Sequence, residues 1–352
     1  MANTQLENTL YRFTDKEASY KGINQVKETI NLNGLGKNEV IIKIKAVALN
    51  YRDFAIASGT YPIPVRDNVI PGSDAAAEVI KVGSSVSDLE VGDRVITNFD
   101  PENIYGQQRN QLSALGAVAD GVLSQYKVVP SYAVNKLPKG SHLTNEEAAC
   151  LVCTGVTSWN ALYGTADRFI AGQTVLMLGT GGVSITCLIL AKAAGAVTII
   201  TSSSDEKLKY VKEKWGVDYT VNYKTNPDWE KEVLKITNGE GVDFVIENGG
   251  TSTIMKSMAS TKIGGQVASI GFLGQSKEMP DVLSLVLLRS IRLRGIAVGS
   301  KQLAEELIRF VHAKKLRMPV EKTFGFSSDQ VVKAYQSIES QNQIGKIVIK
   351  ID

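Results

Sequence analysis

The sequence predicts an α/β protein in which a doubly wound parallel sheet follows a smaller β-rich domain. Three observations lead there. From about residue 145 onward, apolar strands and helices alternate, the pattern of a parallel sheet covered on both faces. Before that point the chain runs in short strands punctuated by glycine and serine. The 352 residues also exceed what one core fills, since cores stop growing at roughly 250–300 residues, so about two domains are expected.

In the first third, VIIKIKAVALN (40–50) sets Val40, Ile42, Ile44, Ala46 and Ala48 against a face with Lys43 and Lys45. Period two over that length predicts a half-buried strand. AAAEVIKVG (75–83) and VGDRVI (91–96) follow as further strands, and together they suggest a small barrel or sandwich. Residues 145–164 read as one helical segment with Asn145 as its N-cap. Then come a strand at 174–179, an apolar helix at 183–195, a strand at 197–202 and an amphipathic helix at 205–216. A strand at 218–223, a helix near 227–237 and strands at 242–250 and 266–271 continue the alternation. The tail carries a helix at 302–315 and a strand at 344–351.

Composition narrows the function classes. Apolar residues are 43%, charged residues 21% and the net charge is +3, too small a charge to suggest nucleic acid or an anionic membrane as partner. No stretch reaches the roughly 18 apolar residues of a membrane span, and the N-terminus has no basic start followed by an apolar run. A cytoplasmic protein acting on a small molecule is expected. Cys150, Cys153 and Cys187 are the only cysteines and His142 and His312 the only histidines. Three thiols form no disulfide framework, and so few histidines remove most routes to zinc.

The strongest motif is GTGGVS (179–184), between an apolar strand and an apolar helix. Small residues there let the backbone approach a pyrophosphate, and the helix N-terminus supplies free N–H groups and a positive dipole end. Gly179 makes the turn, and Gly181, Gly182 and Val183 lie at the approach. The half of the chain that holds them is expected to be a Rossmann domain. Gly249 and Gly271, ending the later strands, join the candidate cofactor contacts. The second strand ends at Ser202 with no carboxylate; the first acid, Asp205, lies beyond the turn. A carboxylate would hold the ribose hydroxyl of NAD. Serine hydroxyls at 202 and 203 with Lys207 suit a 2′-phosphate instead, so NADPH is the expected cofactor. The same serines also suit a helix cap.

With LNYRDFAIASGTYP (49–62), IPGSDAAAEVIKVG (70–83), VGDRV (91–95), ADGVLSQYKVVP (119–130), EEAACLVCTGVTSWNAL (146–162), LGTGGVS (178–184), TSSSDEKL (201–208), VNY (221–223) and IGKIVI (344–349) in this order, the chain resembles the medium-chain dehydrogenase/reductase superfamily, in its zinc-free quinone oxidoreductase-like branch. The resemblance implies a GroES-like domain over 1–133, a Rossmann domain over 134–305 and a return to the first domain over 306–352. It implies that Ser203, Lys207 and Tyr223 surround the 2′-phosphate, that Thr157 lies near the nicotinamide, and that Asn50 lies at the catalytic cleft. Zinc alcohol dehydrogenases of the same superfamily need a cysteine where this chain has Asn50 and a histidine where it has Ser73, so no metal site is expected.

Without zinc, hydride transfer to a quinone or an α,β-unsaturated carbonyl is the expected reaction. Tyr61 is the candidate proton donor, with a packing role beside Pro62 as the alternative. Asn50 could orient a carbonyl, and Arg52 and Asp53 could form a supporting ion pair. Some relatives carry a second tyrosine at the position of Ala55, which questions a tyrosine relay and suggests a larger pocket. Cys150 and Cys153, three apart, would share the buried face of one helix. A trans-acting enoyl reductase of a biosynthetic pathway and a catalytically silent NADPH-binding protein are the rival readings. RLRGIAVGS (292–300) is a candidate edge strand for a homodimer.

Overall fold

A computed structural model describes residues 4–15, 18–108, 110, 112–274, 276 and 280–352. By compactness the chain divides into two units, 1–156 with 299–352, and 157–298.

The first unit opens with β1 (Gln5–Phe13) and β2 (Ile23–Asn31), an antiparallel pair of their own. β3 (Glu39–Leu49) leads into α1 (Tyr51–Ala57), followed by β4 (Asp74–Val82), β5 (Arg94–Thr97), β6 (Tyr126–Pro130) and β7 (Val134–Lys136). β3 is central, pairing antiparallel with both β4 and β6. It is more buried than its alternation predicted: Ile41, Val47 and Leu49 are covered along with Val40, Ile42 and Ile44. Only Lys43 and Lys45 keep partial exposure in its middle. The expected helix at 145–164 is broken. α2 (Asn145–Ala149) ends in a π-turn over Leu151–Gly155, stabilised by the Thr154 hydroxyl donating to the Cys150 carbonyl at 2.9 Å. The cap of α2 is Thr144, not Asn145: Thr144 Oγ1 accepts from the Glu147 N–H and Glu147 returns the bond to the Thr144 N–H. Asn145 is turned to the Arg94 guanidinium, 2.8 Å away.

The second unit takes up α3 (Val156–Tyr163) from its second residue and contains β8 (Thr174–Met177), α4 (Gly182–Ala193), β9 (Val197–Ser202), α5 (Asp205–Trp215) and β10 (Tyr219–Asn222). α6 (Trp229–Ile236), β11 (Val242–Glu247), α7 (Ile254–Ala259), β12 (Thr261–Ser269), α8 (Val282–Arg289) and β13 (Arg292–Gly295) complete it. All six strands are parallel, in the order β10-β9-β8-β11-β12-β13. Strand order reverses between β8 and β11, and ligands of such sheets bind beyond the carboxyl ends at that reversal. The central strands β8, β9 and β11 are largely apolar and buried because both faces of the sheet are covered there. α5 ends at Gly216, whose φ of 64° is the left-handed C-cap that glycine favours.

The chain then returns to the first unit through α9 (Lys301–Ala313), β14 (Val320–Phe324), α10 (Ser328–Glu339) and β15 (Lys346–Lys350). β15 pairs antiparallel with β3 and parallel with β14, completing a seven-stranded sheet. Tyr11, Ile42, Ile44, Leu123, Tyr335 and Ile347 are central to its core. Among the described residues no helix is long and apolar enough to cross a membrane.

Candidate active site and cofactor cradle

In the second unit, β8 is followed by Leu178 and Gly179, and the Gly179 φ of 76° lies in the left-handed region. Its N–H donates to Thr201 Oγ1 at 3.2 Å. Gly181 is the N-cap of α4 and has no side chain to offer the first turn, so the N–H groups of Gly182, Val183 and Ser184 have no intrahelical acceptor. A Cβ built on Gly179 or Gly181 would meet no protein atom within 4 Å. Open space in front of free N–H groups at a helix N-terminus is an anion cradle. Ser184, where a further glycine is common, is turned inward. Its hydroxyl donates to the Leu178 carbonyl at 2.6 Å and accepts from Asn248 Nδ2 at 3.0 Å. Thr157 is buried on α3, beside Ser158, whose hydroxyl reaches the Val183 carbonyl at 3.2 Å.

Gly249 and Gly271 differ from the first pair. A Cβ on Gly271 would lie 2.2 Å from the Asn248 carbonyl oxygen, and one on Gly249 2.2 Å from Thr253 Oγ1. Protein packing therefore already requires both to be glycine. The end of β11 is organised by Glu247, which the sequence reading passed over. It is fully buried and accepts from the N–H groups of Gly249 (2.7 Å) and Gly250 (3.0 Å) and from the hydroxyls of Thr253 (2.7 Å) and Ser257.

At the end of β9 the cap of α5 is Ser204, whose Oγ accepts from the Lys207 N–H. Ser202 is buried; its hydroxyl accepts from the Ser204 N–H and its carbonyl accepts from the Tyr223 N–H at 3.0 Å. Ser203 and Lys207 are half-buried and Tyr223 is 40% exposed. The Asp205 carboxylate accepts from Asn222 Nδ2 at 2.8 Å. Lys207 forms no ion pair among the described residues.

The first unit holds Asn50 and Tyr61. Asn50 is the N-cap residue of α1, and its N–H donates to Asp53 Oδ2 at 2.7 Å. Its side chain does something else: Oδ1 accepts from Lys346 Nζ at 2.5 Å, and Nδ2 is buried without a partner. Lys346 Nζ also lies 3.6 Å from Asp74 Oδ2, with Lys346 and Asp74 both almost fully buried. Asp74 further accepts from the Ser73 hydroxyl at 2.6 Å and the Cys153 N–H at 3.1 Å. The sequence reading assigned no role to Lys346 or Asp74. The available signal was a lysine in the otherwise apolar face of the strand IGKIVI.

Arg52 and Asp53 do not form the expected ion pair. Arg52 Nε donates to the Tyr61 hydroxyl oxygen at 3.2 Å, Nη1 donates to the Leu115 carbonyl at 2.9 Å, and the guanidinium lies over the Tyr61 and Phe99 rings. Because Arg52 supplies a donor, the Tyr61 proton is left to face elsewhere. Burial pushes the Asp53 carboxyl up to about 6, against the pull of the Arg52 charge. Ala55 is fully buried, and its carbonyl accepts from the N–H groups of Thr60 and Tyr61.

The positions of a catalytic zinc do not fit a metal. Asn50 and Ser73 are neutral oxygen donors, and a lysine ammonium is already bonded among them. That ammonium would repel a dication, and zinc asks for three or four N, S or O ligands. Among the described residues no three His, Cys, Asp or Glu side chains gather as a metal set. Burial pushes the Cys150 and Cys153 thiols up to about 12, so neither is a reactive thiolate. His142 and His312 meet edge to face at 5.1 Å, and His142 Nε2 and both ring nitrogens of His312 are engaged by the Leu316 carbonyl, the Ile308 carbonyl and the Ser141 hydroxyl.

One unit rich in β-strands and another built on a six-stranded parallel sheet with an open anion cradle define, between their folds, a nicotinamide-dependent oxidoreductase class. Residues 36–139 match the alcohol dehydrogenase GroES-like domain family and residues 182–313 the zinc-binding dehydrogenase family. The chain is 42% identical over 324 residues to a zinc-type alcohol dehydrogenase-like protein of Schizosaccharomyces pombe, covering 90% of this chain and 92% of that one. It is 29% identical to an acryloyl-coenzyme A reductase of Sulfurisphaera tokodaii, covering 90% and 93%. A solved NAD-dependent alcohol dehydrogenase superposes with a TM-score of 0.84 at 26% identity, covering 98% of this chain and 100% of that one. The protein belongs to the medium-chain dehydrogenase/reductase superfamily and is an oxidoreductase with a GroES-like and a Rossmann part.

Proposed function

We propose that the protein is an NADPH-dependent reductase that transfers a hydride to a quinone or an α,β-unsaturated carbonyl without zinc. The observation that carries this reading is the Lys346 ammonium bonded to Asn50 where a zinc enzyme would place its metal. An unactivated alcohol has no Lewis acid there to lower its pKa, whereas a conjugated acceptor needs only a donor for its developing oxyanion. The bound cofactor supplies the hydride. Gly179, Gly181, Gly182 and Val183 would hold its pyrophosphate, and Thr157, Gly249 and Gly271 would border the nicotinamide side. Ser202, Ser203, Lys207 and Tyr223 would take the 2′-phosphate. The nearest carboxylate, Asp205, is engaged by Asn222, which supports NADPH over NADH.

Asn50 and Tyr61 are the proposed catalytic residues. As hydride adds to the β-carbon, the π electrons move to the carbonyl oxygen. Asn50 Nδ2 is a buried donor without a partner and would give that oxygen a hydrogen bond, while Tyr61, whose hydroxyl oxygen is already bonded by Arg52, would give it the proton. The acryloyl-coenzyme A reductase relative favours a second reading, reduction of an enoyl thioester, which is the same hydride chemistry on a different carbonyl. Turnover of 2-cyclohexen-1-one and 1,4-benzoquinone with NADPH, beside crotonyl-coenzyme A, tests both. Consumption of the free acceptors supports the first reading, consumption of the thioester alone supports the second, and no turnover on any acceptor leaves only a silent NADPH-binding protein.

We further propose a homodimer. β13 is an outer strand of its sheet, and the neighbouring α8 leaves Leu283, Leu287 and Leu288 at 76–79% exposure. An open edge beside an apolar helix is normally covered.

A further inference from the structure

Asn50 is 8% exposed, yet its amide is satisfied on one side only. Oδ1 accepts from Lys346 Nζ at 2.5 Å, and Nδ2, equally buried, has no partner. An amide can present either its oxygen or its nitrogen to a ligand by a half-turn. Here the half-turn would set NH2 against an ammonium, donor against donor. Lys346 cannot move away easily, because Asp74 lies 3.6 Å from its Nζ and is itself held by the Ser73 hydroxyl and the Cys153 N–H. A buried donor left unpaired costs about 1–3 kcal/mol, so this one is poised for an acceptor that arrives from outside the protein.

We propose that Lys346, anchored by Asp74, is a positioning residue that locks the Asn50 amide with its NH2 outward, so that Asn50 recognises a neutral carbonyl oxygen of a bound ligand and rejects a donor in the same place. The inference rests on Asn50 facing a ligand, as in the function proposed above, and not on which acceptor is reduced. The carbonyl could belong to the nicotinamide carboxamide or to the substrate, and both present the same lone pairs.

The experiment reads the amide itself. Protein labelled with nitrogen-15 asparagine gives a side-chain resonance for Asn50, assigned by its loss in Asn50→Asp, a variant whose carboxylate still meets Lys346 and so preserves folding. Lys346→Met is expected to move that resonance in the ligand-free protein, and Lys346→Arg to bring it back toward the wild-type position. Where Lys346→Met does not fold, Lys346→Gln with Asp74→Asn removes both charges together. NADPH alone moves the resonance if the acceptor is the carboxamide; adding 2-cyclohexen-1-one to the NADP⁺ complex moves it if the acceptor is the substrate. With turnover, Asn50→Asp and Lys346→Met each lower kcat/KM at least tenfold, and the double variant loses no more than the worse single. A resonance indifferent to Lys346, or to both ligands, overturns the proposal, as do single losses that simply add. Absence of turnover in the wild type overturns the functional reading alone, since the resonance needs none.

Discussion

Arg52 Nε donates to the hydroxyl oxygen of Tyr61 at 3.2 Å while the guanidinium lies over the Tyr61 ring. One cation thus fixes the ring and occupies the phenol oxygen, leaving the phenolic proton to be given. Tyr61→Phe is expected to lower kcat with 2-cyclohexen-1-one by about 10²-fold, the lower end for loss of a general acid, with KM little changed. Arg52→Met should produce part of the same loss. Unchanged kcat in Tyr61→Phe would make Tyr61 a packing residue.

Gly181 separates cofactor binding from folding. Its φ of −77° suits any residue and a Cβ there meets nothing within 4 Å. Gly181→Ala is therefore expected to melt within about 4 °C of the wild type, since an N-cap Gly-to-Ala change costs up to about 1 kcal/mol. Its methyl group would stand where the pyrophosphate approaches, and NADPH affinity should fall at least tenfold by calorimetry. Gly179→Ala, by contrast, forces a left-handed conformation and should cost about 1–2 kcal/mol of stability.

Asp53 carries a pH signature. Its carboxyl is buried, Oδ1 has no partner, and its value is raised to about 6. The folded protein therefore binds this proton more tightly than the unfolded chain does. Between about pH 4 and pH 6 the native state holds more protons, so this group's contribution to stability falls as pH rises through that window. Asp53→Asn removes the dependence. The variant should equal the wild type near pH 4 and exceed it above pH 7 by up to about 3 kcal/mol, read from urea unfolding at each pH. A constant difference across pH would contradict the raised value.

Leu287 tests the association surface. Light scattering of the wild type should give twice the chain mass, and Leu287→Asp on α8 should give a single chain with unchanged helix content. A monomeric wild type would sink the dimer.

The Rossmann part was legible because its signals are local. The strand TVLMLG, the turn GTGGVS and the helix after it lie in one stretch of sequence, and Gly195 and Gly216 punctuate the helices that follow. The break at Leu151–Gly155 was not legible, because a π-turn keeps a helical composition and its Thr154–Cys150 bond has no sequence mark. The ends of the chain hid for a different reason. β1 pairs with β2 and β14 with β15, each a near neighbour in sequence, but what ties the two ends of the chain together lies far apart, as in the Tyr11 hydroxyl donating to the Phe326 carbonyl at 2.6 Å. The candidate site divides in the same way. Asn50 and Tyr61 stand in a readable motif, but what directs Asn50 is Lys346, 296 residues on, and only the pairing of β15 with β3 brings them together.

The central claim is the cofactor, and calorimetry of NADPH against NADH on metal-stripped protein, repeated with Lys207→Ala, tests it most directly. Loss of a charge-assisted bond to the 2′-phosphate is worth about 1.5–3 kcal/mol. The account predicts tight NADPH, weak NADH and a fall of roughly 10- to 100-fold in NADPH affinity alone in the variant. Equal affinity for the two nucleotides, or binding that returns only with zinc, would contradict it.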